Sequence, residues 1–239
     1  MSDTPIVGIL GAGLIGMSWA SLFAACGAQV IVVDPSATAQ EQLGAFLGDA
    51  WPHLRALELT QTDVLPHITV SDDITTLRDA GIVQENGPDR IEVKQQIVAD
   101  LEAVIAPDAL IASSTSSLMA TDIQAHARHP DRILVAHPMN PPHLVPMVEL
   151  VAGKGTSPDT MDRAEAFYTS MQRVPIRVQK EVPGHLANRL TAALYREAVH
   201  IAAEGIADVA DIDRAIACGP GMRWALMGPH LTYHLGGGT

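Results

Sequence analysis

Positive charge and cysteine are both scarce in this sequence of 239 residues: 15 Lys and Arg stand against 27 Asp and Glu, and there are two cysteines. The net charge of −12 excludes the clustered cations that nucleic acids and anionic membranes require. Two isolated cysteines, Cys26 and Cys218, make neither a disulfide framework nor a zinc site, which indicates a reducing compartment. We therefore expect a small-molecule partner rather than a nucleic acid or a membrane, and an anionic ligand would be held mainly by backbone N–H groups.

The first 54 residues lack Lys and Arg altogether, and residues 4–33 carry no charge of either sign. Such a stretch could be mistaken for a membrane span, but five glycines, two serines and Gln29 interrupt it. A signal peptide needs a cationic start, whereas the first cation here is Arg55. We expect no targeting segment and a cytoplasmic location.

Short apolar runs that alternate with helical patterns predict an α/β fold. Residues 6–10 and 29–33 are such runs, and the helical stretch 17–26 between them is typical of a parallel βαβ unit. Further strands are predicted at 67–71, 81–84, 109–113, 132–136, 147–151 and 174–179, and further helices at 37–48, 92–105 and 160–171. This alternation predicts a Rossmann-type doubly wound, mostly parallel sheet.

The pattern changes after Pro183-Gly184, where only helical signals follow. They cover residues 186–204 and 208–218, with Asp208 as a candidate N-cap. We therefore expect a Rossmann domain over residues 1–182 and a smaller all-helical domain over residues 183–239.

A glycine-rich turn after the first predicted strand indicates a dinucleotide site. The predicted cofactor contacts in this turn are Gly11, Ala12, Gly13, Leu14, Ile15 and Gly16. Asp34 closes the next strand 18 residues after the last glycine, near the roughly 20 expected for the acid that binds ribose hydroxyls. Residues 35–40 contain no cation that could neutralise a 2′-phosphate, so NAD is favoured over NADP. FAD and a purely structural turn are the alternatives.

A histidine and a glutamate form the candidate catalytic pair. His137 ends a predicted strand, and Glu149 lies twelve residues further, in the next strand. A carboxylate beside the imidazole would fix its tautomer and strengthen it as the base that an alcohol dehydrogenation needs. Together with Ser116 the pair also suggests a hydrolase triad, but Ser116 lacks the flanking glycines of a nucleophile elbow.

His126 and His129 have no evident third ligand, so we predict no metal site.

Four motifs together resemble the 3-hydroxyacyl-CoA dehydrogenase family. They are Gly11-Ala-Gly-Leu-Ile-Gly16, Ser113-Ser-Thr-Ser-Ser117, His137-Pro-Met-Asn-Pro141 and Pro183-Gly-His-Leu-Ala-Asn188. The resemblance in order and spacing covers nearly the whole chain. It implies a Rossmann domain, a helical domain that mediates homodimer formation, and NAD-linked oxidation of an L-3-hydroxy group. Members usually carry a longer helical domain, so the resemblance also implies that the helical domain here is incomplete.

The resemblance assigns roles to individual residues by position. His137 is implied to be the general acid/base and Glu149 the partner that orients it. Ser116 matches the serine that hydrogen-bonds the reacting oxygen, and Asn188 matches the asparagine that contacts the substrate or the histidine. Glu85 begins the family's Glu-x-x-x-Glu pattern and is assigned to cofactor binding.

The sequence differs at several positions from the family members that act on acyl-CoA substrates, and these differences favour another class of substrate. Ser114 stands where an asparagine is usual, Asp89 replaces the second glutamate of the pattern that begins at Glu85, and His137-Pro-Met-Asn replaces His-Phe-Phe-Asn. The segment from Gly219 to Pro229 is similar to that of the lambda-crystallin (L-gulonate 3-dehydrogenase) and carnitine dehydrogenase branch. Those relatives oxidise small soluble hydroxy acids. If the substrate here is also a free acid, Arg223 could bind its carboxylate through two hydrogen bonds.

The sequence therefore predicts NAD-dependent oxidation of a small L-3-hydroxy acid to the 3-keto acid. One alternative is a 3-hydroxyacyl-CoA dehydrogenase of fatty-acid metabolism. A second alternative, from a different functional class, is a protein that binds a dinucleotide or has a structural role without catalysing a reaction. The lens crystallins of this lineage suggest that such a role is possible. The intact pair of His137 and Glu149 argues against the non-catalytic alternative.

Overall fold

This computed structural model describes residues 4–237, which form an eight-stranded sheet with helices between its strands, followed by four further helices. The chain divides into two units, the first ending at Leu186 and the second beginning at Ala187. No helix among the described residues is both long enough and apolar enough to cross a bilayer.

The strands and helices follow one another in the alternating order that the sequence predicts. The strands are β1 (Ile6–Leu10), β2 (Gln29–Val33), β3 (Thr69–Ser71), β4 (Ile82–Glu85), β5 (Leu110–Ser113), β6 (Ile133–Pro138), β7 (Met147–Ala152) and β8 (Val174–Val178). The helices of the first unit are α1 (Leu14–Ala25), α2 (Ala39–Ala56), α3 (Ile91–Glu102), α4 (Ala120–Ile123) and α5 (Pro158–Ser170), with 3₁₀ turns at Ile74–Leu77 and Pro130–Arg132. The second unit contains α6 (Ala187–Ala203), α7 (Val209–Cys218), α8 (Pro220–Trp224) and α9 (Pro229–Gly236).

The strand order across the sheet is β3-β2-β1-β4-β5-β6-β7-β8. All neighbours pair in parallel except β6 and β7, which are antiparallel. The predicted doubly wound, mostly parallel sheet is therefore confirmed. The carboxyl ends of β1 to β6 lie at one edge, and the direction of strand addition reverses between β1 and β4. Ligands of such sheets bind outside that edge, next to the reversal.

Apolar side chains on both faces of the sheet explain why helices cover both sides. Val7 and Ile9 of β1 are fully buried and pack toward α1, α2 and α5. On that face, the ring of Trp19 stacks on Phe23 at 4.9 Å and lies 5.8 Å from the ring of Tyr168. A second cluster on the opposite face packs against α3 and α4. The sheet is therefore the middle layer of three.

Helix α2 is longer than the sequence pattern suggests. The prediction ends this helix at residue 48, whereas the structure continues it to Ala56 and includes Pro52. The buried side chains of Leu47, Trp51 and Leu54 continue one apolar stripe along the helix. Burial of this stripe outweighs the local cost of a proline within the helix.

The second unit consists of amphipathic helices whose side chains remain largely exposed to solvent. None of the described residues in α6, α7, α8 or α9 is buried. Asp208 caps α7, since its carboxylate accepts the backbone N–H of Asp211 at 2.7 Å, as predicted. Large apolar side chains along these helices face solvent, among them Leu190, Tyr195 and Val209.

Candidate active site

Two glycines shape the turn between β1 and α1. Gly11 has a φ of 92°, a region that favours glycine. A Cβ atom on Gly16 would lie 1.9 Å from the carbonyl oxygen of Gly11, so only glycine allows the turn and the helix to approach this closely. A Cβ on Gly13 would meet no protein atom within 4 Å, and its backbone therefore borders open space. The turn has the form that lets a pyrophosphate approach the backbone.

Asp34 ties this turn to the end of β2. Its two carboxylate oxygens accept the backbone N–H groups of Ala12 at 2.7 Å and of Ser36 at 2.8 Å. Each oxygen keeps a further lone pair, so the carboxylate can still accept ribose hydroxyls. The same edge contains a cavity of about 420 Å³ that is bordered by Gly11, Gly13, Asp34, Asn86 and Gly87.

The start of α1 favours negative charge. The helix begins at Leu14, directly behind the open space at Gly13, and its first turn contains no acidic residue. Backbone N–H groups and the helix dipole therefore face the position of a pyrophosphate. These residues fit a dinucleotide that carries no 2′-phosphate.

The predicted pair of His137 and Glu149 is brought together by the only antiparallel strand pair among the described strands. The two residues lie directly opposite each other in β6 and β7. Nδ1 of His137 lies 2.8 Å from Oε2 of Glu149, and the side chains are 7% and 0% exposed. A carboxylate can only accept, so this partner places the proton on Nδ1 and leaves Nε2 as the basic nitrogen.

The second oxygen of Glu149 is also held. Its Oε1 accepts the backbone N–H of Leu186 at 2.6 Å. A buried carboxylate with donors on both oxygens keeps one orientation, because any rotation would leave a buried polar group without its partner. The geometry therefore fixes the tautomer of His137.

The serine-rich loop after β5 contacts the loop that follows β4. Ser116 is exposed, and its backbone N–H and its hydroxyl each lie 3.4 Å from a carboxylate oxygen of Asp89. Asn188 and Arg223 belong to the second unit: Asn188 is half-buried in the first turn of α6, and Arg223 is exposed in α8.

Glu85 faces the protein interior. It is 1% exposed, and its carboxylate accepts bonds from Nζ of Lys94 at 2.8 and 3.0 Å, from the hydroxyl of Ser113 at 2.6 Å, and from the N–H of Gly87 at 2.6 Å. The carboxylate thus holds the loop that borders the dinucleotide cavity. The sequence analysis did not predict a role for Lys94. This residue lies four positions before Val98 on the buried face of α3. A lysine at that helical spacing from an apolar residue is the sequence signal that could have identified it.

Ser114, the departure from the usual asparagine, joins a buried polar network. Its hydroxyl donates to Oδ1 of Asn86 at 2.7 Å and accepts from the side-chain amide of Gln84 at 2.8 Å and the indole of Trp19 at 3.2 Å. The amide oxygen of Gln84 accepts a hydrogen bond from the hydroxyl of Tyr168. Ser114 therefore links the cavity loop at Asn86 to the helices behind the sheet.

The loop that follows His137 is fixed to α1 through His143. Oγ of Ser18 lies 2.7 Å from Nδ1 of His143 and accepts the backbone N–H of His143 at 3.0 Å. Burial lowers the pKa of His143, and the proximity of His53 and Arg173 lowers it further. The two contacts with Ser18 hold the loop against the helix that starts at the glycine turn.

The glycine turn, Asp34 and the buried imidazole–carboxylate pair all lie at the carboxyl edge of the parallel strands. This combination defines a dinucleotide-binding enzyme of the Rossmann type. A family model for the NAD-binding domain of 3-hydroxyacyl-CoA dehydrogenases matches residues 6–182, and a model for the C-terminal domain of the same enzymes matches residues 184–239. The chain belongs to the 3-hydroxyacyl-CoA dehydrogenase family, and it is an NAD-dependent dehydrogenase that oxidises a 3-hydroxy group.

Known relatives agree with this membership. An L-carnitine dehydrogenase of Bacillus cereus is 40% identical over 233 residues, which are 97% of this chain and 72% of that protein. A solved NAD⁺-dependent 5-formyl-3-hydroxy-2-methylpyridine 4-carboxylic acid 5-dehydrogenase aligns with a TM-score of 0.90 at 33% identity, over 96% of this chain and 75% of that one. The (S)-3-hydroxybutyryl-CoA dehydrogenase of Ralstonia eutropha aligns with a TM-score of 0.81 at 30% identity, over 90% and 77% of the two chains. The predicted family, fold class and cofactor are confirmed.

Replacing Gly16 by alanine should weaken NAD binding by about tenfold or more, which corresponds to about 1.4 kcal/mol. The reason is that the new Cβ would lie 1.9 Å from the carbonyl oxygen of Gly11 and would displace the turn. Calorimetric titration with NAD measures the change. Gly44→Ala in α2 is the matched control, because its Cβ would meet no atom within 4 Å. Equal NAD affinities of the Gly16→Ala variant and the wild type would contradict this role of the close approach.

Proposed function

We propose that this enzyme oxidises the hydroxyl of a small, free L-3-hydroxy acid to a ketone, with His137 as its general acid/base. The observation that carries the proposal is the buried hydrogen bond between His137 and Glu149 at the carboxyl edge of the sheet. Relatives named L-carnitine dehydrogenase at 40–43% identity support a free hydroxy acid as the substrate. In this proposal residues 1–182 bind NAD, and residues 183–239 contribute to substrate binding and dimerisation.

The chemistry divides between cofactor and protein. NAD, when bound, supplies the acceptor for the hydride that leaves the substrate carbon. Nε2 of His137 takes the hydroxyl proton, and the charge of Glu149 stabilises the imidazolium that forms. Loss of one hydride and one proton converts the CH–OH group into a ketone, and the same proton returns in the reduction. The hydroxyl of Ser116 and the amide of Asn188 are proposed to donate hydrogen bonds to the reacting oxygen.

Exchanging His137 for glutamine should lower kcat by about 10²- to 10⁴-fold, the usual contribution of a positioned acid/base. The NAD dissociation constant should stay within about twofold, because His137 is not part of the glycine turn. Nicotinamide absorbance gives kcat, and calorimetry gives NAD affinity. His126→Gln, at an exposed position, is the matched control and should behave as the wild type. A His137→Gln enzyme with wild-type kcat would refute the assignment.

Arg223 is proposed to select a free carboxylate. It is exposed and borders a cavity of about 360 Å³ together with Trp224 and Tyr233. A guanidinium binds a carboxylate through two parallel hydrogen bonds, whereas a CoA thioester offers no carboxylate at that position. The alternative substrate is a 3-hydroxyacyl-CoA, which the match to the family model and the likeness to a (S)-3-hydroxybutyryl-CoA dehydrogenase favour.

A substrate panel distinguishes the two classes: L-carnitine, L-gulonate, 3-hydroxybutyrate and 3-hydroxybutyryl-CoA. The Arg223→Met variant should raise KM for a free acid by about tenfold or more, because a charge-assisted bond contributes about 1.5–3 kcal/mol. Arg196→Met, another exposed arginine of the helical unit, is the control and should leave KM unchanged. Activity on the CoA ester alone would establish the alternative substrate, and an unchanged KM in Arg223→Met would refute the role of Arg223.

The helical unit is proposed to join two copies of the chain. A groove of about 470 Å³ between α6 and α7 is lined mainly by apolar residues, among them Tyr195, Val199, Val209 and Ile212. Exposed apolar surface of this kind marks protein interfaces. Light scattering after size exclusion should therefore give twice the chain mass.

Introducing charge into the groove tests this proposal. Tyr195→Glu together with Val199→Glu should give the monomer mass with NAD affinity unchanged. Glu197→Gln on the same helix is the control and should leave the dimer intact. A wild-type chain that is monomeric at micromolar concentration would refute the proposal.

A cytoplasmic location is also proposed. Cys26 is half-buried and Cys218 is exposed, and neither forms a disulfide. Burial raises the pKa of the Cys26 thiol, and the charge of Arg173 opposes this effect. Unpaired thiols are typical of proteins from a reducing compartment.

A further inference from the structure

A second histidine lies next to the proposed acid/base pair, in the turn that ends the first unit. His185 is 1% exposed and follows Gly184, whose φ is 77°. His185 itself has a φ of 49°, in the left-handed region that residues other than glycine rarely adopt. The turn closes through a bond from the N–H of His185 to the carbonyl oxygen of Val182 at 3.1 Å. A buried imidazole is therefore held in an uncommon backbone conformation.

Three contacts place this turn at the proposed catalytic groups. The ring centroid of His185 lies 5.2 Å from that of His137. Nε2 of His185 lies 3.2 Å from the carbonyl oxygen of Thr115, in the loop that carries Ser116. The adjacent N–H of Leu186 donates to Oε1 of Glu149 at 2.6 Å. One short turn thus contacts the serine loop, the imidazole and the carboxylate.

The partner of Nε2 determines the tautomer of His185. A carbonyl oxygen only accepts, so Nε2 carries the proton and Nδ1 has a lone pair. Nδ1 is buried and has no hydrogen-bond partner among the described residues. An unpaired buried acceptor disfavours the folded state, so stabilisation of the fold does not explain an imidazole at this position.

The surroundings favour the neutral form of this ring. Burial lowers the pKa of His185, and the bond to the Thr115 carbonyl opposes that effect. The proximity of His137 lowers the pKa of His185 further, while the carboxylates of Glu149 and Asp89 raise it. Burial is the largest of these effects, so the pKa of His185 lies below its ordinary value and its neutral form is favoured.

We propose that His185 is a positioning residue of the acid/base site, whose neutral imidazole fixes the serine loop through Thr115 and supports the ring of His137. The proposal rests on the role of His137 given above. It requires the Nε2–H donor of His185 rather than the imidazole ring as such. A side chain that keeps this donor should therefore keep the function, and a ring without it should not.

Two substitutions of His185 distinguish the contribution of its Nε2–H donor from that of its aromatic ring. His185→Gln can place an amide N–H near the position of Nε2, whereas His185→Phe keeps an aromatic ring but has no donor. We expect His185→Phe to lower kcat by about tenfold or more, with KM for NAD within about twofold of the wild type. We expect His185→Gln to retain kcat within about threefold. His126→Phe and His126→Gln are the matched controls and should leave both constants unchanged.

Nitrogen NMR of the wild-type protein tests the same proposal without any turnover. The imidazole of His185 should show protonated Nε2 and unprotonated Nδ1 at pH 7, and it should be less than half protonated at pH 6.5, where free imidazole is half protonated. This measurement applies even if a variant fails to fold. A protonated Nδ1 or a charged ring at pH 7 would overturn the proposal.

The kinetic outcomes are equally decisive. Equal losses in His185→Phe and His185→Gln, or wild-type kcat in His185→Phe, would overturn the positioning role. If His137→Gln loses activity while His185→Phe does not, only this inference fails. If His137→Gln itself keeps wild-type kcat, the proposed function fails, and His185 has no acid/base pair to position.

Discussion

The carboxylate of Glu149 is the contact on which the candidate site depends. It is fully buried, and its two oxygens accept hydrogen bonds from His137 and from the backbone of Leu186. Removing either donor would leave a buried charge short of a partner, which is far more costly than the loss of an exposed bond. The orientation of His137 and the position of the turn at residue 186 are therefore set by the same group. An imidazole with a fixed tautomer is what proton transfer in both directions requires.

The scarcity of cations explains how the dinucleotide edge is built. The net charge is −12, and one of the few lysines, Lys94, is buried against Glu85. Backbone N–H groups at the glycine turn and the N-terminus of α1 supply positive potential without a cationic side chain. The glycine turn leaves no space for a side chain at Gly16, because a Cβ there would lie 1.9 Å from the carbonyl oxygen of Gly11. The acidic composition is therefore compatible with binding an anionic cofactor.

Much of this site could be predicted from sequence because its signals are local. The glycine turn and Asp34 lie within one βαβ unit, and His137 and Glu149 lie on adjacent strands. His185 gave no such signal, since its contacts with Thr115 and His137 join parts of the chain that are distant in sequence. Helix α2 was predicted too short for a related reason: burial of Trp51 and Leu54 outweighs the local effect of proline. The boundary at residue 182 and the roles of the individual site residues, from His137 and Glu149 to Asn188 and Arg223, remain predictions.

One sheet can hold both a core and an active site because polarity changes along its strands. Strand β4 starts with apolar residues and ends in Gln84 and Glu85, β5 ends in Ser113, and β6 has His137 one residue before its end. All four polar side chains are buried, and each has a hydrogen-bond partner inside the protein. Because parallel strands share the direction of their carboxyl ends, a polar residue near the end of successive strands falls at one edge. The apolar middle of the sheet then supplies the rigidity that holds these polar groups in place, and the low dielectric around them strengthens each bond.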